Sequence, residues 1–118
     1  PALPAYAAAK AGMINFTKTL ALIYARENHP INVNCVAPGF TATPGIRKAG
    51  HVPPNIRKDG TRVPPLLMPN EPHHVADACV FLASEAASHV TGELMVIRGM
   101  MHMERSDDVT RDRAHLVK

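Results

Sequence analysis

A long helical segment is followed by a short β-branched segment that stops at Pro38-Gly39, and this succession constrains the fold more than any other feature. Apolar residues point nearly all round the helical segment, which extends from Tyr6 to about Asn28, so it is expected to be buried on several faces. Residues 31–37 are typical of a strand. Helix, strand and Pro-Gly turn in this order predict an α/β protein with a parallel sheet.

A second helix and a second strand are predicted further along the chain. Asn70 is expected to cap the helix, with Glu71 and Pro72 in its first turn. The helix is expected to end near Ser84, and residues 93–97 form the second predicted strand. The core face of the helix is predicted from residues at helical spacing, namely Val75, Ala78, Cys79 and Leu82.

Residues 44–69 are rich in proline and glycine and show little periodicity. The segment is longer than an ordinary connection, which indicates either a functional loop or a flexible segment without function. It follows residues 38–43 at the carboxyl end of the first predicted strand. Because ligands of parallel sheets bind beyond the carboxyl ends of the strands, a cofactor is expected at residues 38–43, with residues 44–69 as a lid.

Tyr6 and Lys10 are the candidates for chemistry. Residues four apart stand on one face of a helix, so the phenol and the ammonium can address one small volume. Free tyrosine titrates near pH ~10, and a cation beside the hydroxyl favours the phenolate, which is the help that an acid/base group needs near neutral pH. The alternative is a surface lysine that lies along an aromatic ring.

The 118 residues are 46% hydrophobic with a formal net charge of +3, which is typical of one small globular domain. No apolar run approaches the roughly 18 residues of a membrane span and no signal-peptide pattern is present, so a cytoplasmic protein without a membrane partner is expected. The positive charges are scattered among acids, which argues against nucleic-acid binding. The histidines lack metal-ligand spacing, so no metal is assigned, and Cys35 and Cys79 are expected to be reduced core thiols.

Three segments in order carry a family resemblance: YAAAKAG from Tyr6, INVNCVAPGFTAT from Ile31 and EPHHVADACVFLASEAASHVTGE from Glu71. Together they resemble the carboxyl-terminal half of the short-chain dehydrogenase/reductase family. The resemblance implies an α/β fold in which residues 1–99 form the carboxyl-terminal part of a Rossmann-like doubly wound parallel sheet, an incomplete domain, and residues 100–118 form a charged tail. It also implies NAD or NADP as the cofactor and the interconversion of a small-molecule alcohol and a carbonyl.

The resemblance assigns roles to single residues. Tyr6 matches the catalytic acid/base, and Lys10 matches the partner that holds the nicotinamide ribose and assists the tyrosine. Pro38 and Gly39 match the turn that passes the nicotinamide ring. All four are thereby expected to contact the cofactor.

Two threonines complete the expected cofactor site. Thr41 and Thr43 match positions that contact the carboxamide or the pyrophosphate, and Thr43 is the better fit. Residues 44–69 fall where the family has its variable substrate lid. The apolar faces of the first helix are expected to pair it with another copy in a homodimer or homotetramer.

The sequence also departs from the family pattern. The glycine-rich phosphate turn, an Asn and the catalytic Ser of the family are absent from the 118 residues and would precede Pro1. Asn28-His29-Pro30 replaces a glycine at the end of the first helix, and Arg98-Gly99-Met100 stands where the family often has Asp-Gly-Gly. A fragment of a working oxidoreductase is therefore expected. The alternative is a truncated or inactive homologue that acts only as a folding or dimerisation partner.

Overall fold

The computed structural model describes residues 3–98 of the chain. Both predicted helices and both predicted strands are present, whereas the short helix α2 was not predicted. The predicted tail, residues 100–118, lies outside the described residues. The elements in chain order are α1 (Pro4–Arg26), β1 (Cys35–Pro38), α2 (Pro44–Lys48), a 3₁₀-helix (Pro65–Leu67), α3 (Pro72–Leu82), a second 3₁₀-helix (Glu85–Ala87) and β2 (Leu94–Ile97).

The described residues fall into two compact units, of which the first contains residues 3–37 and 76–96. Its buried positions include Ala21 of α1 and Ala87, which are 5% and 0% exposed. The backbone of Gly92 comes close to α1, because a Cβ placed on Gly92 would lie 3.5 Å from the Cβ of Ala21. Small side chains at this contact therefore let the segment before β2 pack against α1.

Helix α1 ends in a backbone arrangement that takes the place of the expected glycine. Asn28 adopts a left-handed conformation with φ of 56°. The N–H of His29 donates to the carbonyl of Tyr24 at 2.8 Å, and the N–H of Asn28 donates to the carbonyl of Ala25 at 3.3 Å. These two bonds form a Schellman motif. Asparagine tolerates the left-handed region better than most residues, so Asn28 ends the helix as a glycine would.

Strands β1 and β2 form a two-stranded sheet. The N–H of Cys35 donates to the carbonyl of Glu93 at 2.9 Å, and the N–H of Gly39 donates to the carbonyl of Ile97 at 2.8 Å. The partners advance in the same direction along both strands, so the pair is parallel, as the sequence predicts.

Strand β1 begins at Cys35, so the prediction of a strand over residues 31–37 is wrong for its first half. Two asparagine side chains explain the difference. The Nδ2 of Asn32 donates to the carbonyl of Ser88 at 2.9 Å, and the Nδ2 of Asn34 donates to the carbonyl of Val90 at 2.8 Å. The Oδ1 of Asn34 also accepts the N–H of Glu93 at 3.1 Å, so a side chain here takes the place of a backbone carbonyl of the ladder.

The apolar residues of α1 are more exposed than the sequence predicts. Only Thr17 and Ala21 of this helix are buried. Phe16 is 64% exposed, and the other large apolar side chains that stand out are Met13, Leu22 and Ile23 at 54%, 51% and 41%. The prediction of a helix buried on several faces is therefore wrong for residues 3–98 taken alone, because the described elements cover one side of α1.

The second unit contains residues 38–75 together with Ile97 and Arg98. Its buried positions include Ala42 and Asn70, with exposures of 1% and 6%, and Pro69 is buried as well. The prediction that Asn70 caps the second helix is wrong, because α3 begins only at Pro72 and the side chain of Asn70 donates to a carbonyl elsewhere.

Residues 44–69 are structured at three places. Helix α2 opens the segment, and the 3₁₀-helix Pro65–Leu67 lies near its end. Between them, an antiparallel bridge joins Ile56 and Arg62. The carboxylate of Asp59 accepts bonds from the N–H and the hydroxyl of Thr61, at 2.9 and 2.7 Å, and closes the turn of this hairpin.

Candidate active site

Tyr6 and Lys10 lie one turn apart near the start of α1. The Nζ of Lys10 is 5.5 Å from the centroid of the Tyr6 ring, and Tyr6 is 60% exposed. The two side chains therefore share one face of the helix, as their spacing predicts. A cation at this distance over an exposed ring is attracted by about 0.5–1 kcal/mol. A surface lysine that lies along an aromatic ring would make the same contact. The contact also keeps a cation close to the phenol ring, as the catalytic interpretation requires.

The local sequence gives this pair a rigid support. Pro4 occupies the first turn of α1, where its missing N–H costs nothing. The residues around Tyr6 and Lys10 are mostly alanine, the residue with the highest helix propensity. Alanine side chains are short, so the phenol and the ammonium project beyond their neighbours into solvent.

Pro38 is the last residue of β1, and Gly39, Thr41 and Thr43 lie in the turn that follows; all four belong to the second unit. The hydroxyl of Thr41 donates to the carbonyl of Gly39 at 2.9 Å. The N–H of Thr43 donates to the carbonyl of Thr41 at 2.9 Å. The hydroxyl of Thr43 accepts the N–H of Ile46 at 3.4 Å and caps α2. Both threonines therefore stabilise the turn that was predicted to meet the cofactor.

Two neighbouring amides of this turn have no partner among residues 3–98. The N–H groups of Gly39, Ala42 and Thr43 donate to carbonyls, whereas those of Phe40 and Thr41 donate to no group of the described chain. Successive N–H groups of a turn are suited to bind a carbonyl or phosphate oxygen. Within the described residues, the turn therefore offers two N–H donors to an oxygen of a ligand.

An ion pair joins α2 to the residue just before α3. The guanidinium of Arg47 donates to the carboxylate of Glu71. This hydrogen bond is the main cause that holds the pKa of Glu71 below its ordinary value of 4.5. Both side chains are exposed, so solvent screens the attraction. The pair was missed in the sequence, because residues this far apart show no shared periodicity.

The lid segment borders an open hollow of about 370 Å³. A space of this size accommodates part of a small molecule, and its wall is largely apolar with a few polar groups. The lining residues are Asn55, Arg62, Val63, Pro64, Pro65, Met68, Pro69, Glu71 and His74. Neither the hollow nor the hairpin beside it could be read from the proline spacing.

The cysteines and histidines form no metal site within residues 3–98, where no three potential ligands converge. Both cysteines are free thiols. Cys35 is partly buried, but Cys79 is exposed on α3, so the prediction of a core thiol is wrong for Cys79 within the described residues. None of the helices in the described part of the chain is long and apolar enough to cross a membrane.

Comparison with known proteins gives consistent matches. The sequence profile of a family described as enoyl-(acyl carrier protein) reductase matches residues 1–102. A 3-oxoacyl-[acyl-carrier-protein] reductase of Thermotoga maritima is 44% identical over 94 residues, covering 80% of this chain and 36% of that protein. An acetoacetyl-CoA reductase of an Acinetobacter species is 42% identical over 98 residues, covering 83% of this chain and 38% of that protein. The chain thus spans little more than a third of the length of these curated relatives.

A solved structure agrees with the sequence matches. An oxidoreductase of the short-chain dehydrogenase/reductase family from Burkholderia thailandensis superposes with a TM-score of 0.68 at 33% identity, over 98% of this chain and 45% of that chain. The parallel strand pair with its helices matches part of a Rossmann-like domain, and the relatives use NAD or NADP. The sequence profile, the identities to curated reductases and the shared fold thus agree that this chain belongs to the short-chain dehydrogenase/reductase family.

Proposed function

We propose that the protein is an NAD(P)-dependent oxidoreductase that interconverts an alcohol and a carbonyl, with Tyr6 as the acid/base and Lys10 as its partner. The observation that carries the proposal is the position of the Lys10 ammonium, 5.5 Å from the centre of the exposed Tyr6 ring. The ammonium thus lies on the same helix face as the phenol that is proposed to donate the proton.

The chain's own residues would perform the proton transfer. Bound NAD(P)H supplies the hydride that reduces the carbonyl carbon. As negative charge develops on the carbonyl oxygen, the phenolic O–H of Tyr6 donates its proton to that oxygen and the alcohol forms. The ammonium of Lys10 stabilises the phenolate, which regains a proton from solvent because Tyr6 is exposed. In the oxidative direction the phenolate removes the hydroxyl proton of the alcohol.

The turn after β1 would hold the nicotinamide end of the cofactor. The N–H groups of Phe40 and Thr41 are the donors that the turn offers to a carboxamide or phosphate oxygen. Thr43 adds a hydroxyl, which accepts one bond from Ile46 and still carries one O–H to donate. Pro38 and Gly39 supply the backbone along which the ring would pass.

Tyr6→Phe in the full-length protein tests the proposal, with Tyr24→Phe on the same helix as the control. Acetoacetyl-CoA is a suitable substrate, because reductases of such thioesters are among the relatives. Tyr6→Phe should lower kcat by at least the 10² to 10⁴ that is typical of a general acid, at unchanged thermal stability. Near-normal turnover of Tyr6→Phe would contradict the assignment.

A second pair of variants tests the lysine. Lys10→Met should raise the KM for the cofactor as well as lower kcat, because the ammonium is proposed to hold the ribose and to assist Tyr6. Lys18→Met removes a charge further along α1 and should change neither. Equal effects of the two substitutions would mean that kcat and KM depend on the total charge of the helix and not on the position of Lys10.

An inactive homologue that only pairs with another chain is the second candidate function. The exposed apolar side chains of α1 favour it, with Phe16 64% and Met13 54% exposed. A contiguous apolar surface on a helix is typical of a protein contact. The same surface would serve a homodimer or homotetramer of an active enzyme, so NAD(P)H-dependent turnover of the parent protein, present or absent, decides between the two candidates.

A further inference from the structure

Asn70 is a buried polar residue where the lid segment meets α3. Its exposed fraction is 6%. Such burial stands out, because no large side chain of the described residues is fully buried. Buried amides in native proteins are almost always hydrogen-bonded, so the partners of Asn70 indicate its role. Neither its sequence position nor its neighbours Pro69 and Glu71 reveal those partners.

The backbone of Asn70 pairs with the cofactor turn. Its N–H donates to the carbonyl of Phe40 at 2.9 Å, and its carbonyl accepts the N–H of Ala42 at 2.8 Å. The two bonds flank Thr41 and form an isolated parallel bridge. The end of the lid is thereby fixed to the middle of the turn.

The side chain of Asn70 makes a separate connection. Its Nδ2 donates to the carbonyl oxygen of Ile97, the last residue of β2. The same oxygen accepts the N–H of Gly39 at 2.8 Å. A carbonyl oxygen has two lone pairs, so the start of the turn occupies one and Asn70 occupies the other. Asn70 therefore bonds to the turn through its backbone and to the strand end through its amide.

We propose that Asn70 is a positioning residue for the cofactor turn: its three hydrogen bonds fix residues 39–42 against the end of β2. The inference rests on the proposed function, in which that turn holds the nicotinamide end of the cofactor. Asn70 acts through the backbone of the turn and supplies no proton or charge to the reaction. Its loss should therefore weaken cofactor binding and leave the chemical step nearly unchanged.

Hydrogen exchange of the full-length protein tests the hydrogen bonds of Asn70 without the need for cofactor or activity. Asn70→Gly deletes the amide but keeps both backbone bonds and buries no charge, so it is the milder variant. Asn70→Asp keeps the shape and replaces the donor by an acceptor that faces the Ile97 oxygen. Both should speed exchange of the hydrogen-bonded amides of Gly39 and Ala42, whereas Asn15→Asp, at an exposed amide of α1, should leave exchange there unchanged.

Steady-state kinetics separate positioning from a general loss of structure. Asn70→Gly should raise the KM for NAD(P)H about tenfold, the effect of one lost hydrogen bond, with kcat within about threefold of the parent. Asn70→Asp should show a larger rise that shrinks as the pH is lowered, because a protonated carboxyl regains an O–H that can donate to Ile97. Asn15→Asp should show no such pH dependence.

The outcomes are distinct. Unchanged exchange of the Gly39 and Ala42 amides in Asn70→Gly, or a fall in kcat at constant KM, would overturn the positioning role. A parent protein without NAD(P)H-dependent turnover would refute the proposed function, and the exchange data would still decide whether Asn70 fixes the turn. Faster exchange together with a KM effect supports the role assigned to Asn70.

Discussion

Gly39 faces Arg98 so closely that a Cβ placed on Gly39 would lie 2.6 Å from the Cβ of Arg98. The same Cβ would lie 3.2 Å from the Cα of Arg98, which belongs to the backbone and cannot rotate away. Real Cβ atoms do not approach other carbons to such a distance, so one of the two segments would have to move. Only glycine allows the turn after β1 to lie against the end of β2.

Gly39→Ala should therefore destabilise the full-length protein by about 1–3 kcal/mol, the usual cost of overpacking, and should weaken cofactor binding. Thermal denaturation and a cofactor titration measure the two effects. Gly45→Ala in α2 is the matched control, because a Cβ at Gly45 meets nothing within 4 Å. Equal melting temperatures for the two variants would contradict the close contact.

The lid segment, residues 44–69, should become protected from proteolysis when cofactor and substrate bind. Its cleavable residues are exposed, and an apolar hollow beside it offers a surface to the substrate. Trypsin should cut the parent protein between Ile46 and Arg62, and saturating ligands should slow the cleavage. Cleavage at Lys18 of α1 provides a reference site. Equal rates with and without ligands would mean that the segment does not close over the site.

Glu71 should titrate below its ordinary pKa of 4.5, because Arg47 donates to its carboxylate. A lowered folded-state pKa means that the pair stabilises the folded protein above pH 4.5 and that this contribution is lost as the pH falls through the lowered value. Carboxyl chemical shifts in an NMR titration report both states of the side chain. In Arg47→Ala the pKa of Glu71 should rise toward its ordinary value.

Asp59 provides an internal reference for that titration. Its pKa is lowered chiefly by the hydrogen bond from the Thr61 hydroxyl, so it should not respond to Arg47→Ala. Thr61→Ala should raise the pKa of Asp59 and leave Glu71 unchanged. If Arg47→Ala shifts both carboxyls equally, a general change in charge and not the specific pair accounts for the effect.

Residues 1–118 expressed alone should lack a sharp cooperative melt or should survive by self-association. Large apolar side chains such as Phe16 and Leu22 are more than half exposed within the described residues. At ~25 cal/mol per Å², a few hundred Å² of uncovered apolar surface amounts to several kcal/mol, comparable with the stability of a small domain. Calorimetry and sedimentation test this, and Phe16→Glu should shift any self-associated species toward monomer.

The same polypeptide should not bind NAD or NADP measurably. The 118 residues contain no Gly-x-Gly-x-x-Gly phosphate turn, and the turn at 38–43 is proposed to meet only the nicotinamide end of the cofactor. Calorimetric titration with both cofactors measures the affinity. Micromolar binding would show that other groups of these residues hold the phosphates.

Local patterns in the sequence were sufficient for some elements and not for others. Helix α1 was predicted because it is long and many of its residues have a high helix propensity. The shared face of Tyr6 and Lys10 follows from helix geometry alone. The start of β1 was misplaced because Asn32 and Asn34 bond to residues more than fifty positions away. Asn70 was read as a cap for the same reason, since its partner Ile97 is distant in sequence. Residue type indicates that an amide needs partners, but only the fold decides which ones.

The bridge between Thr41 and Asn70 brings the two ends of the lid segment side by side. A chain whose ends already meet is, in polymer terms, a closed loop, and doubling the length of such a loop costs only about 0.6 kcal/mol. We therefore expect segments of other lengths and chemistries to be accommodated between Thr43 and Asn70 with little strain on the bridge. The substrate range can then change while residues 39–42 keep their hydrogen bonds.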